Sequence, residues 1–398
     1  MGLTDIFRLR GVALQESIHK WIGIGFLLYL GSIFFLGGSQ QKTFFYLLVA
    51  LPALFLLVRS RQLFRQDAWA ICSVVLMLGY YSLSTLWSGG EGDLNDALKY
   101  SLYIFCLMLA IEATTQRFSP PFIQGYIVVV GGIAACSYLL AMLFGDTPLS
   151  AYVTGRYALD QIAGWGTGNP INSGVIFGIM AIAGWWLLPG KKWPVQVALV
   201  VMIGFAAALM FVSKSRGPML ALAIIVLLIT LFRRSKIDLL LVLLGVVALI
   251  GAALLSNLDA VVAERVATPT YRTYIWGEVF QQFKSHWLFG RGLGNDASIA
   301  IDNGMVVTHA HSSLFEAFRT GGLVGGLMLI GMAFLLLRHS IRRPAGYFFL
   351  LWFIYGVICL STNGRTLIVK PSIEWIAFWI PLFLLYFSTR PNLDKVRG

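Results

Sequence analysis

Two histidines, His309 and His311, stand just ahead of an apolar run in the segment Thr308-His309-Ala310-His311-Ser312-Ser313-Leu314-Phe315-Glu316. Ser313 and Glu316 have the spacing of a capping box, which predicts a helix beginning just after His311. A helix start carries partial positive charge and unpaired N–H groups, so it attracts an anion. It also disfavours imidazolium, leaving a neighbouring histidine neutral near pH 7 and able to accept a proton. The alternative use of the pair, as metal ligands, lacks a third ligand of suitable spacing.

Arginines at the ends of apolar runs supply the second kind of chemistry. Arg216 lies in Ser213-Lys214-Ser215-Arg216-Gly217-Pro218, a hairpin between two strongly apolar stretches. Its guanidinium is held near a membrane–water boundary, either as an interfacial anchor or as a grip for an anion. Arg272 opens a helical pattern in which Trp276, Phe280, Phe283 and Trp287 recur at spacings of four, three and four. Such a helix lies on or dips into a membrane surface. Arg272 falls one turn before Trp276, on the apolar side and at a helix start that the dipole makes unfavourable for a cation; a bound anion would offset both. Arg291 sits in the glycine turn Phe289-Gly290-Arg291-Gly292-Leu293-Gly294, and Arg156 in Gly155-Arg156-Tyr157. The Arg156 connector reads either as part of a binding surface or as a solvated loop.

The elements that position these residues are membrane helices. Of 398 residues, 58% are hydrophobic and 12% charged, and the mean hydropathy is +0.77. That excludes a soluble enzyme, a disordered regulator and a nucleic-acid-binding protein. Apolar runs long enough to span a bilayer lie near 21–38, 43–58, 69–87, 97–114, 122–144, 171–188, 195–212, 218–232, 237–255, 314–337, 345–361 and 373–387. The first is too long for a signal peptide, no small-residue cleavage site follows it, and it is expected to be retained. The chain divides into spans one to nine with short loops over 1–255, a large loop over 256–313, and spans ten to twelve with a tail over 314–398. A loop that long is generally functional. The four cysteines, Cys72, Cys106, Cys136 and Cys359, all lie in apolar runs and build neither a disulfide framework nor a metal motif.

Twelve spans put both termini on one side. That side's segments hold 18 of the 30 Lys and Arg residues, so the positive-inside rule makes it cytoplasmic. The same segments carry the entire net charge of +12, which therefore reflects topology and not a polyanionic partner. The outer face keeps the other basic residues, several at the mouths of spans. Its acids, including Asp160, Glu278, Asp296 and Asp302, form no spaced carboxylate pair and no metal triad.

This combination resembles the O-antigen ligase and polymerase superfamily, and most closely the O-antigen ligases of lipopolysaccharide assembly. The resemblance runs over nearly the whole chain. It rests on the span count, the large outer loop, Ser213-Lys214-Ser215-Arg216-Gly217, Arg272 with Trp276, and His311 eleven and fourteen residues before Gly322 and Gly325. That spacing gives His311, not His309, the family's essential histidine position; where the family carries Asn next, this chain has Ser312.

The resemblance implies an all-α integral membrane protein of about 12 transmembrane helices, GT-C-like, in the bacterial inner membrane, with a long periplasmic loop containing amphipathic helices. It implies transfer of a glycan from undecaprenyl diphosphate to a sugar hydroxyl of the lipid A-core at the periplasmic face, without metal or cofactor. The residue chemistry is compatible with that reaction. Arg216 and Arg272 would grip the diphosphate, with Lys214, Arg156, Arg291 and His309 as further binding groups. His311 would take the proton of the attacking hydroxyl. Two other readings stand beside this one. A polymerase of the same superfamily is expected to show an outer-face Arg with Gly eleven residues later, but Arg156, Arg216 and Arg272 meet Thr167, Leu227 and Phe283. A twelve-span secondary transporter needs charges or broken helices at the midplane, whereas here the unusual residues crowd the outer boundary.

Overall fold

A computed structural model describes residues 3–59, 68–90, 92–255, 271–301, 305–338, 340–341 and 343–389. The connector 60–67, the first part of the large loop at 256–270, Asp302 and the tail beyond 389 lie outside the described residues.

Every predicted apolar run is helical. The long helices are α1 (Leu3–Ser32), α2 (Gly38–Phe45, continued by a π turn, Tyr46–Ala50, and by Leu51–Arg59), α3 (Ala68–Ser84), α4 (Leu94–Arg117) and α5 (Pro120–Phe144). Two short helices follow, α6 (Leu149–Thr154) and α7 (Leu159–Ala163), and then α8 (Pro170–Leu187), α9 (Trp193–Ser213), α10 (Arg216–Arg233) and α11 (Lys236–Leu255). The large loop contributes α12 (Tyr271–Ser285) and a two-stranded hairpin, β1 (Ile299–Ala300) with β2 (Val306–Val307). The chain ends in α13 (Ser313–Leu337), α14 (Tyr347–Ser361) and α15 (a π turn, Trp375–Trp379, then Ile380–Ser388). Eight helices among the described residues are long and apolar enough to cross a membrane, so this is an all-α membrane protein.

The helix most apolar around its whole circumference takes the centre. From Trp375 to Phe387 every residue of α15 is buried, and α4, α13 and α14 pack around it. At the periphery, α9 to α11 leave many Leu, Val and Ile side chains uncovered, as suits helices bounded by lipid tails.

The two ends of the bundle differ in chemistry. At one end a buried ion pair fastens the α10–α11 turn. Arg233 donates twice to Asp238 (Nε to Oδ2 3.0 Å, Nη2 to Oδ1 2.7 Å) and also bonds the carbonyls of Trp185 and Trp186 at the end of α8. With Asp238 fully buried, this satisfaction of donors and acceptors is what makes the charge tolerable. The opposite end gathers the connectors after α1, α5, α9, α11 and α14.

Candidate active site

The large loop is built around a small core of its own. Ile275 and Val279 of α12 pack on Ala297, Ile299, Ile301, Val307 and Ala310 of the hairpin and its flanks. The hairpin, in register Ile299 with Val307 and Ala300 with Val306, was not evident in the sequence because its strands are two residues long. This corrects the single apolar stripe expected of α12, which has two apolar faces. Ile275 and Val279 are buried, while the aromatic stripe splits. Trp276 meets Phe315 and Phe283 meets Phe318 edge-on, but Phe280 stays 53% exposed and Trp287, beyond the helix end, 54%.

The loop is locked onto α13 where that helix breaks. Gly322 has φ 62° and ψ −165°, conformations open to glycine, and Gly290 has φ 72°. A Cβ on either would stand 2.4 Å from the other's backbone nitrogen, so the turn 288–290 nests in the break with no side chain between. Leu323 and Val324 donate to the carbonyls of Trp287 and Leu288, and Arg291 and Gly292 donate to those of Arg319 and Thr320. Gly321 lies against the ring of Tyr81 and Gly325 against those of Tyr80 and Tyr81, where the lack of a side chain lets the helices approach closely.

Arg319, fully buried, is the hub beneath the site. It bonds both oxygens of Glu316 (2.6 and 3.3 Å), Gln282 Oε1 of α12, and the side chain and carbonyl of Asn295. A buried guanidinium carries a desolvation penalty of several kcal/mol, which this saturation offsets. Glu316, held there, accepts the N–H of Ala310 at 3.0 Å, and the Trp276 indole donates to the Ala310 carbonyl at 3.1 Å. The residue between the two histidines is thus clamped from both sides. His311 is held at φ 49°, unusual for a residue with a side chain and stable only where its surroundings over-determine it.

The capping box expected from Ser313 and Glu316 is not formed. The N-cap is Ser312, whose Oγ accepts the N–H of Phe315, while the N–H of Ser313 goes to the Asn363 carbonyl. Glu316 is drawn away because Arg319 and Ala310 take both its oxygens. The N–H groups of Ser313 and Phe315 are therefore engaged within the protein and not free for an anion. Ser312 also explains the departure from Asn after the histidine, since Asn and Ser serve almost equally well as N-caps.

Cationic side chains converge on a cavity of about 460 Å³ lined by Arg156, Lys214, Arg216 and Arg272, closed by Ser215, Thr362 and Asn363. The sequence places them there for local reasons. Lys214 ends α9 in the left-handed conformation (φ 44°), a sharp reversal that sets Arg216 at the first position of α10. Lys214 Nζ bonds the Thr154 carbonyl and Arg156 Nε the Ser213 carbonyl at 3.2 Å, stitching the α6 connector to this turn. Arg272 is exposed, facing the cavity and not the apolar side of α12 as its spacing suggested. Arg291 lies elsewhere. Its backbone N–H bonds the Arg319 carbonyl, its buried Nε has no partner among the described residues, and it lines neither cavity.

A second cavity, about 400 Å³, adjoins the first at Asn363 and is lined by His309, His311, Lys42, Arg365, Lys370 and Glu374 among others. The histidine rings lie 4.2 Å apart, and His309 Nδ1 accepts the backbone N–H of His311 at 3.2 Å, which makes His309 an acceptor at that nitrogen. Burial, then His309, then the Arg272 charge lower the His311 pKa from its usual value to about 4. Burial likewise lowers that of His309. His311 is therefore neutral at physiological pH, as expected, but through desolvation and neighbouring charge. Among the described residues no group of three or more His, Cys, Asp and Glu converges as a metal site.

The 362–374 connector, which lines both cavities, was passed over in the sequence because it is short. The available signal is charge, since Lys42, Arg365 and Lys370 lie at the ends of apolar runs on the side that the orientation rule expects to be poor in cations.

Fold and site together define a multi-pass membrane protein with a cation-lined, histidine-bearing site at one end of the bundle. Residues 198–330 match the family model described as O-antigen ligase. Over 96% of this chain and 94% of its own length, an O-antigen ligase of Pseudomonas aeruginosa is 26% identical. The chain is thus similar to the O-antigen ligases over nearly its whole length, which supports a function within the ligase and polymerase superfamily.

Proposed function

We propose that the protein transfers a finished glycan from undecaprenyl diphosphate to a sugar hydroxyl of lipid A-core, at the periplasmic face of the bacterial inner membrane. It does so as a twelve-span protein with both termini cytoplasmic. The observation that carries this reading is the ring of Arg156, Lys214, Arg216 and Arg272 around one cavity, with the neutral His311 at the border of the next.

A glycosyl donor outside the cytoplasm must arrive already activated, and a lipid diphosphate is such a donor. Arg216 and Arg272 hold the diphosphate. His311 accepts the proton of the acceptor hydroxyl as its oxygen bonds to the anomeric carbon. The bond from that carbon to the phosphate oxygen breaks, and the diphosphate leaves with the electron pair, its growing charge met by the guanidinium groups. Direct attack inverts the anomeric centre, and no metal takes part. Donor binding also raises the basicity of His311. Part of the depression of its pKa comes from Arg272, and a bound diphosphate neutralises that charge.

The test is reconstitution with a lipid-linked glycan, with and without the core-lipid acceptor. Glycan appearing on the acceptor supports ligation. Growth of the carrier-linked chain without acceptor supports polymerisation and overturns it.

A further inference from the structure

The second cavity carries more positive charge than the proposed donor site uses. Lys42, at the start of α2, Lys370 and Arg365 line one cavity, near enough for their like charges to act on one another. Desolvation and these two like charges depress the Lys42 pKa. One carboxylate, Glu374, shares the cavity and accepts the backbone N–H of Arg365 at 3.1 Å, so the lining holds three cations to one anion; Asp96, within the field of Lys370, is bonded to Lys99 and Tyr100. None of the three ion pairs among the described residues involves Lys42, Arg365 or Lys370. Ammonium groups that share a cavity repel each other, one carboxylate offsets only part of the charge of three cations, and a bound anion removes the rest of the repulsion. Neutral groups surround them. Among the described residues the side-chain oxygens of Ser372 and Asn172 are buried without a hydrogen-bond partner, and both residues line this cavity, where they suit sugar hydroxyls.

We infer that this cavity is an acceptor subsite in which Lys42, Lys370 and Arg365 hold an anionic substituent, phosphate or carboxylate, on a sugar near the hydroxyl that is glycosylated. The inference rests on the reading of the protein as a ligase. Given that reading, the geometry is the one required, because donor diphosphate and acceptor anion occupy adjoining cavities that meet at Asn363, with His311 lining the acceptor side beside Arg272.

The test is direct binding of core-lipid acceptor to the full-length protein in nanodiscs, without donor, followed by kinetics. Lys370→Gln and Lys42→Gln should weaken acceptor binding and raise its KM by about tenfold while kcat at saturating acceptor changes little. Lys370→Arg should restore binding. Affinity for undecaprenyl diphosphate alone should be unchanged. Two wild-type arms, acceptor stripped of phosphate and acceptor with its carboxyl groups reduced, identify the anion. The arm that removes it should lose affinity in the wild type and make no difference to the Gln variants. Unchanged acceptor binding in both Gln variants, or a loss of donor binding instead, overturns the subsite. Failure of the ligase reading is separate: it shows as absence of transfer by wild-type protein, whereas the binding measurement needs no turnover.

Discussion

The indole N–H of Trp276 donates to the Ala310 carbonyl at 3.1 Å, so the helix that carries Arg272 is fastened to the residue between His309 and His311. The groups proposed to bind the anion and to accept the proton come from segments almost forty residues apart, and this bond ties those segments together. Trp276→Phe keeps the ring against Phe315 and removes only the donor. One such bond is worth about 0.5–1.5 kcal/mol, so kcat should fall up to about tenfold while thermal stability changes little. Unchanged turnover with purified variant would show that the bond does not position the site.

Arg272→Lys keeps the charge and loses the planar fork. If Arg272 grips a diphosphate in the transition state, transfer should drop by about 10²-fold or more, and Arg216→Lys should behave alike. Near-normal rates with either lysine would count against a bidentate role.

His311→Ala should lower transfer by about 10²–10⁴-fold and leave donor binding intact. The pH dependence has a definite sign. In the proposed mechanism the reactive imidazole is the neutral form, and its pKa is lowered to about 4. The acid limb of kcat/KM for the donor, which reports the free enzyme, should therefore fall near pH 4 and not near the ordinary histidine value of about 6.5. The acid limb of kcat should lie higher, because bound diphosphate offsets the Arg272 charge. Coincident limbs near 6.5 would contradict the assignment.

The break in α13 makes a stability prediction. Gly322→Ala places a Cβ 2.4 Å from Gly290 N and the Leu288 carbonyl, in backbone conformations costing about 1–3 kcal/mol without glycine. The melting temperature should fall and the loop detach from α13, with activity lost. Gly331→Ala, one helix segment further on with open space around it, should leave both unchanged.

Much of this architecture is legible from periodicity alone, because a span must be a long apolar run and the runs became helices. The cation cluster around Arg216 and Arg272 was readable for a related reason: arginine at the end of a span on the side expected to be outer goes against the charge rule and so stands out. What escaped was set by contacts distant in sequence. Glu316 looks like a capping residue until Arg319 and Ala310 claim it. Arg291 looks like a ligand in a glycine turn until that turn is seen wedged into the break at Gly322. Lys42 and Lys370 are far apart in the chain, and only the folded bundle brings them together in one cavity.

The central claim, that Arg216 and Arg272 cradle a lipid diphosphate beside neutral His311, is most directly tested by a structure with undecaprenyl diphosphate bound. The account predicts phosphate density in the cavity between Arg156, Arg216 and Arg272, with both latter guanidinium groups at hydrogen-bond distance. Phosphates held elsewhere, with those arginines turned to solvent or lipid, would contradict it.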